Sequence, residues 1–130
     1  MSDSSMVSRL ARRTAVDSQE VELEEPVSFG CFGLLRGVRE RALMLELRKR
    51  SGDILAIGYG WIERMAYDPS RGISLHVPGL SIRIEGRFLN EGEQPLFQAL
   101  TRHRVPWLCE SERTEAHEER RLCQIETLTW

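Results

Sequence analysis

Lysine is nearly absent from this sequence. Lys49 is the only lysine among 18 basic residues, so the other 17 are arginine. An arginine-rich surface suits anions, because the guanidinium fork matches the geometry of phosphate and carboxylate. The arginines are scattered over the whole chain, however, and a coding bias explains them more simply. With 20 acidic residues the net charge is −2, so binding to nucleic acid or to a membrane would need a local basic patch.

Long apolar runs are also missing. No stretch approaches the roughly 18 apolar residues that span a bilayer, and the first residues contain no apolar core of signal-peptide length. The three cysteines, Cys31, Cys109 and Cys123, are odd in number and widely spaced. This pattern argues against a disulfide framework and favours reduced thiols. We therefore expect a cytoplasmic protein with no membrane partner.

Reaction motifs are absent as well. The sequence contains no Gly-x-Gly-x-x-Gly, P-loop, Gly-x-Ser-x-Gly or His-Glu-x-x-His pattern. The spacing of Cys109, His117 and Cys123 matches no closed zinc site, so we expect neither a metal nor another cofactor. Cys109 and His103 could form a nucleophilic pair, but nothing in the sequence indicates an activated thiolate or a third group to orient the base. We predict no catalytic residue, and a hydrolase-like enzyme around this pair ranks last among the functions considered.

Alternating side chains indicate where the fold begins. Leucines alternate with more polar residues from Leu43 to Leu47, which is the period of a half-buried strand. A turn at Ser51 to Asp53 then leads into a returning strand at 54–59. A three-residue loop would oppose Leu47 to Ile57. We prefer this register to that of a two-residue loop, because the shorter loop opposes leucine to alanine and glycine.

A second hairpin is predicted around Pro78 and Gly79. Antiparallel pairing about this turn brings apolar partners together without adjustment, as Leu75 opposite Ile82 illustrates. Proline cannot adopt the positive φ of a primed turn, so the pattern predicts a type II turn or a wider loop. The preceding run at 61–67 fits either helix or strand, and we choose strand because a turn and a strand follow it.

A helix is predicted near 95–104, where Pro95 suits a first turn and apolar residues form one stripe. A final edge strand is expected after it, up to Cys109. The predicted fold class is α+β, with a mainly antiparallel sheet or a small open barrel of five or six strands and one covering helix. We expect a flexible polar N-terminal tail at 1–26, a small β-rich domain at 27–110, and a charged C-terminal segment at 111–130 that ends in an apolar stretch.

Four runs within this domain carry a resemblance to known proteins. The segments DILAIGY, YDPSRGISLHV, IRIEGRFL and LFQALTRHRVPWLCE together resemble a small uncharacterised bacterial family of β-rich domains. The similarity covers residues 42–110. It implies a compact β-rich domain in a bacterial protein and carries no activity, ligand or cofactor with it.

Binding is therefore the leading functional hypothesis. We expect a non-enzymatic binding or protein-interaction module, with a protein partner or self-association, because an exposed edge strand permits β-augmentation. The apolar C-terminal stretch is the other candidate interaction segment. Its candidate residues are Leu122, Ile125, Leu128 and Trp130.

The alternative hypothesis is a weak nucleic-acid-binding protein that uses arginine-rich surface. Counterion release would make such binding fall steeply with salt, whereas an apolar interface responds little. The candidate binding surface consists of Arg83, Arg87, Arg102, His103, Arg104 and Trp107.

Overall fold

The computed structural model describes residues 25–111 and 122–130. The predicted N-terminal tail and the charged part of the C-terminal segment fall mainly on the remaining residues and so lie outside this description. The strands are β1 (Val27–Ser28), β2 (Gly33–Leu34), β3 (Met44–Arg48), β4 (Ile54–Gly58), β5 (Arg64–Asp68), β6 (Gly72–Val77), β7 (Leu80–Arg87), β8 (Trp107–Cys109) and β9 (Gln124–Thr129). One α-helix, α1 (Leu96–Thr101), and a 3-10 turn (Tyr59–Trp61) complete the elements.

The prediction of an α+β fold, built on one sheet or a small open barrel under a covering helix, is wrong. Strands make up 45% of the described residues and helical turns only 9%, so this part of the chain is mostly β. The strands divide among three sheets of four, three and two strands, and within the described residues they do not close a barrel. The helix is short because a Schellman-type turn follows it: the N–H groups of His103 and Arg104 donate to the carbonyls of Leu100 and Ala99.

The four-stranded sheet has the order β9-β7-β6-β5 and is antiparallel throughout. Its central hairpin has the predicted register, with Leu75 opposite Ile82. Gly79 has φ +77, the value that the third residue of a type II turn requires. The strand prediction for 61–67 is confirmed for its second half, because β5 begins at Arg64 after the 3-10 turn.

The three-stranded sheet has the order β4-β3-β8. Its hairpin differs from the predicted register by two residues, since Leu47 pairs with Leu55 rather than with Ile57. The backbone N–H of Lys49 donates to the carbonyl of Asp53 at 2.8 Å, so the loop is Arg50 to Gly52. A slip of two residues keeps every side chain on its face, which is why the inward residues of the hairpin were still assigned correctly.

The last strand of this sheet, β8, lies at its edge, as the sequence predicted. It runs parallel to β3, and the segment that leads into β2 contacts its other side. An isolated bridge joins Phe32 to Leu108, and the N–H of Leu35 donates to the carbonyl of Arg104 at 2.8 Å. Cys31, Phe32 and Leu34 therefore belong to the core, whereas Phe29 is partly exposed.

One hydrophobic cluster joins the two larger sheets and the helix. Its fully buried apolar side chains are Phe32, Leu45, Leu47, Ile73, Leu75, Ile82, Ile84, Leu96, Leu100, Val105, Leu108 and Ile125. The N–H of Ser111 donates to the carbonyl of Ile125 at 2.9 Å, which ties the end of the three-stranded sheet to β9. The two larger sheets therefore share one core. The free edge of β4, on the side away from β3, lies outside this core.

Candidate functional sites

β4 is an edge strand whose outer side has no strand partner within the described residues. Hydrogen-bonded and non-hydrogen-bonded pairs alternate along an antiparallel ladder. The N–H of Lys49 donates to the carbonyl of Asp53, and that of Tyr59 donates to the carbonyl of Leu43. It follows that the odd-numbered residues of β4 bond to β3. The N–H and C=O groups of Ile54, Ala56 and Gly58 point to the open side.

Apolar side chains surround this open edge. Ile54 is 60% exposed, Trp61 69% and Met44 48%. A Cβ built on Gly58 would lie 3.1 Å from Cδ1 of Trp61 and 3.8 Å from Sδ of Met44, so the indole and the thioether fill the space above this glycine. The result is an apolar patch at one end of β4 and a protruding isoleucine at the other.

Charge distinguishes β4 from the comparable edge of the other large sheet. The residues of β4 are Ile-Leu-Ala-Ile-Gly, without a charged side chain, whereas β5 carries Arg64 and Asp68 at its ends. Charged residues on an edge strand oppose pairing with another chain, and their absence favours it. Of these two edges, β4 is therefore the one better suited to accept a further strand.

The structure separates the predicted arginine surface into two grooves. Arg83 and Arg87 lie on β7 and line a groove of about 580 Å³. Each is in an ion pair there, Arg83 with Glu85 at 3.6 Å and Arg87 with Glu126 at 3.2 Å. The positive charge of these two residues is thus largely compensated.

Arg102 and Arg104 line a different groove of about 320 Å³, which we call the arginine groove. Its other basic residue is Arg36, which is not part of the predicted binding surface. The lining of this groove consists of Leu34, Arg36, Gln94, Pro95, Gln98, Ala99, Arg102 and Arg104. Among the described residues that line this groove there is no carboxylate.

His103 has a structural position at the end of α1. Its φ is +58, a left-handed conformation that is usually left to glycine after a helix. Its ring stacks on that of Tyr59 with 4.5 Å between centroids, and its carbonyl accepts a hydrogen bond from Ala42 N–H at 2.7 Å. Within the described residues no hydrogen bond joins His103 to Cys109, the partner in the predicted nucleophilic pair.

Tyr59 itself is buried and bonded. Its hydroxyl donates to the carbonyl of Val105 at 2.6 Å. Burial raises the pKa of Tyr59 well above the ordinary value of 10.0. The tyrosine therefore remains protonated in the folded protein and helps to fix the segment that leads from α1 to β8.

Trp107 lies on β8, on the outer face of the three-stranded sheet. A Cβ on Gly33 would lie 2.5 Å from the indole Nε1, so the ring covers this glycine. The guanidinium carbon of Arg48 lies 5.0 Å from the ring centroid, in a cation–π contact. Trp107 thus packs within the domain and is not grouped with Arg102 and Arg104.

The predicted C-terminal interaction segment is largely integrated into the fold. Ile125 and Leu128 on β9 are buried in the core. Trp130 is half-buried with Nζ of Lys49 4.2 Å from its ring centroid, while Leu122 is exposed. The interaction role of this segment stays a prediction, for which only Leu122 and part of Trp130 offer accessible apolar surface.

Two of the cysteines are in direct contact. The Sγ atoms of Cys31 and Cys123 are 2.9 Å apart, and Cys31 is buried. The hydrogen bond with Cys31 and burial raise the pKa of Cys123. Within the described parts of the chain no group of three His, Cys, Asp or Glu side chains could hold a metal ion, and His117 lies outside them.

Comparisons with known proteins add no relative. No family model, curated protein or solved structure matches this chain, so the resemblance to a bacterial β-rich family stays a prediction. Over the part of the chain that the structure describes, no helix is long and apolar enough to cross a membrane.

Arg36 was not among the predicted binding residues, and it lies near Arg104 because its neighbour Leu35 pairs with Arg104, 69 residues away. Only the backbone contact of these two segments brings Arg36 to α1. The exposed edge, by contrast, was expected in general terms, and the uncharged run Ile54–Gly58 was visible in the sequence.

Proposed function

We propose that this chain is a non-enzymatic protein-interaction module that associates with a second copy of itself through β4. One observation carries the proposal: β4 is an uncharged edge strand that directs the backbone groups of Ile54, Ala56 and Gly58 away from its own sheet. An open row of this kind is a template for addition of another strand.

The alternation of backbone groups selects a register for that pairing. A two-fold axis that passes through Ala56 places this residue opposite itself and Ile54 opposite Gly58 of the second copy. All outward N–H and C=O groups of both strands then find partners, because the three residues that face the open side meet each other. The two three-stranded sheets would form one continuous six-stranded sheet.

Side chains support the same register. Opposite residues of an antiparallel pair lie on one face with their Cβ positions about 5 Å apart. Ile54 of one copy would therefore stand beside the space above Gly58 of the other, where Trp61 and Met44 lie. The protruding end of each edge meets the apolar patch of its partner, so the interface is self-complementary, as a two-fold dimer requires.

The expected affinity is moderate. Burying an isoleucine or a larger apolar side chain contributes roughly 2–3 kcal/mol when it is complete, and association costs at least about 4 kcal/mol in lost freedom of motion. Two symmetric contacts roughly offset this cost, and the backbone hydrogen bonds, at about 1 kcal/mol each, supply the net affinity, so we expect a reversible dimer.

Sedimentation equilibrium over a range of protein concentrations tests the proposal. We expect a reversible monomer–dimer equilibrium for the unmodified chain. Ala56→Lys should weaken it by at least about tenfold, because two ammonium groups meet on the axis and like charges directly opposite each other destabilise a pair. Ala66→Lys, on the edge strand β5 of the other sheet, is the matched control and should leave the equilibrium unchanged.

Two results would contradict the proposal. One is a chain that remains monomeric at the highest concentration measured. The other is a dimer on which both lysine variants have the same effect. Salt adds a further criterion, because association through an apolar edge should change little between low and high ionic strength.

A further inference from the structure

The arginine groove concentrates positive charge on a chain whose net charge is −2. Arg36, Arg102 and Arg104 line it together with two glutamines, Gln94 and Gln98. Within the described residues none of the three arginines is in an ion pair with a carboxylate. The larger groove on β7 differs in this respect, since its arginines are paired with glutamates.

Arg104 is held in place by several contacts. Its N–H donates to the carbonyl of Ala99 at 3.0 Å, and its carbonyl accepts from Leu35 N–H at 2.8 Å. Its side-chain Nε donates to the carbonyl of Leu35 at 2.9 Å, which leaves the terminal nitrogens of the guanidinium for other partners. A donor that is already ordered loses little conformational entropy when it binds a ligand.

The positions of Arg36 and Arg102 are fixed by the same segment, which contains Arg104. The pairing of Leu35 with Arg104 sets Arg36 beside the end of α1, and the Schellman-type turn places Arg102 at the helix terminus. Both side chains are exposed, so they can adjust to a ligand. Three cations near one another repel, and an anion in the groove would relieve that repulsion.

The chemistry of these residues favours a phosphoryl group. A guanidinium donates two parallel hydrogen bonds to phosphate or carboxylate oxygens. A phosphate monoester has a charge near −2 and three acceptor oxygens. Three guanidinium groups therefore favour it over a carboxylate, whose charge is −1. The amides of Gln94 and Gln98 add neutral donors. A volume of about 320 Å³ suits a small molecule.

We infer that the arginine groove binds the phosphoryl group of a small molecule, with Arg36, Arg102 and Arg104 as its ligands. This site is separate from the β4 edge and does not depend on self-association.

Titration of the full chain with inorganic phosphate, followed by isothermal calorimetry and by NMR of the arginine side chains, tests the inference. We expect saturable binding that shifts the resonances of these three arginines. The double variant Arg36→Gln/Arg102→Gln should weaken it by at least about tenfold, because charge-assisted hydrogen bonds to the anion are lost. Arg64→Gln, an exposed arginine on β5, is the matched control and should bind as the unmodified chain does.

Acetate and a short single-stranded oligonucleotide complete the experiment. Acetate should bind more weakly than phosphate. Phosphate binding that is absent, or equal in the double variant and in the control, would overturn the inference. An oligonucleotide that binds far more tightly than phosphate, with a steep salt dependence that the double variant abolishes, would also overturn it, because the groove would then be part of a nucleic-acid interface.

Discussion

The carboxylate of Glu110 accepts a hydrogen bond from the backbone N–H of Leu128 at 2.8 Å, and thereby links the end of β8 to β9. Its other oxygen accepts from the backbone N–H of Arg50 at 2.9 Å, in the β3–β4 loop. The side chain is only 11% exposed. One glutamate therefore connects the two larger sheets and the hairpin that carries the open edge.

Glu110 should make the fold sensitive to acid. Burial alone raises the pKa of this carboxyl, but the hydrogen bonds from Arg50 and Leu128 and the charges of Arg50 and Lys49 hold it below the ordinary value of 4.5. The ionised form therefore favours the folded state. Its contribution to stability is fully present above the unfolded pKa, and it is lost as the pH falls from about 4.5 through the lower folded pKa.

Glu110→Gln should lower the free energy of unfolding at neutral pH by about 1–3 kcal/mol, because an amide cannot accept from both N–H groups. It should also flatten the decline of stability below about pH 5. Urea unfolding at several pH values measures both effects, with the exposed Glu93→Gln as control. A decline below pH 5 that is equally steep in Glu110→Gln would show that other carboxylates cause it.

Tyr59→Phe should destabilise the protein while keeping the ring stacked on His103. The substitution removes the donor to the buried carbonyl of Val105, and an unsatisfied buried acceptor costs about 1–3 kcal/mol. The matched control is Tyr67→Phe, since within the described residues the hydroxyl of Tyr67 makes no hydrogen bond. Chemical unfolding at neutral pH measures the free energy of unfolding of both variants. Equal values would be evidence against a stabilising hydrogen bond from Tyr59 to Val105.

Alkaline pH provides a second test of Tyr59. Because its pKa is raised in the folded state, its contribution is fully present below the unfolded pKa of about 10 and is lost as the pH rises above that value toward the folded pKa. The stability of Tyr59→Phe should therefore fall less between about pH 9 and pH 11 than that of the unmodified chain.

Oxidation should join Cys31 to Cys123 within one chain. Their sulfurs are 2.9 Å apart, and a disulfide requires about 2.0 Å. Diamide, an azo oxidant, would accept two electrons and two protons as both S–H bonds break and the S–S bond forms. The raised pKa of Cys123 leaves little thiolate, so the reaction should be slow at neutral pH and faster at higher pH.

Mass spectrometry of the oxidised protein measures the loss of two hydrogens and the linked peptides. Cys109→Ser should still form the bond, whereas Cys123→Ser should not. The cross-link should raise the free energy of unfolding by at most about 5 kcal/mol, since it closes a loop of roughly 90 residues. Preferential linkage of Cys109 to either of the other cysteines would contradict the predicted pair.

Local patterns in the sequence predicted the hairpins because apolar alternation and turn residues lie close together in the chain. Leu75 and Ile82, only a turn apart, are paired as expected. The error in the first hairpin, where Leu47 pairs with Leu55, arose from the loop, since two registers of the same parity bury similar residues.

Long-range pairing was not predictable in the same way. The parallel contact of β8 with β3 and the bridge from Phe32 to Leu108 join segments that are far apart in the sequence. Because of these long-range contacts, the strands form separate sheets instead of the predicted single sheet, and the residues around Phe32 lie in the core. The arginine groove depends on another long-range contact, that of Leu35 with Arg104, so local sequence patterns did not indicate that Arg36 lies beside Arg102 and Arg104.

Disulfide trapping across β4 tests the central claim most directly. In the register centred on Ala56, this residue faces itself with about 5.5 Å between Cα atoms, a separation that a disulfide can bridge. Ile54 would be about 14 Å from Ile54 of the second copy, since four residues separate them along the strand direction. In a Cys109→Ser background, Ala56→Cys should form a covalent dimer under mild oxidation and Ile54→Cys should not. Equal dimer yields from both variants, or none from Ala56→Cys, would contradict pairing of β4 with a second copy.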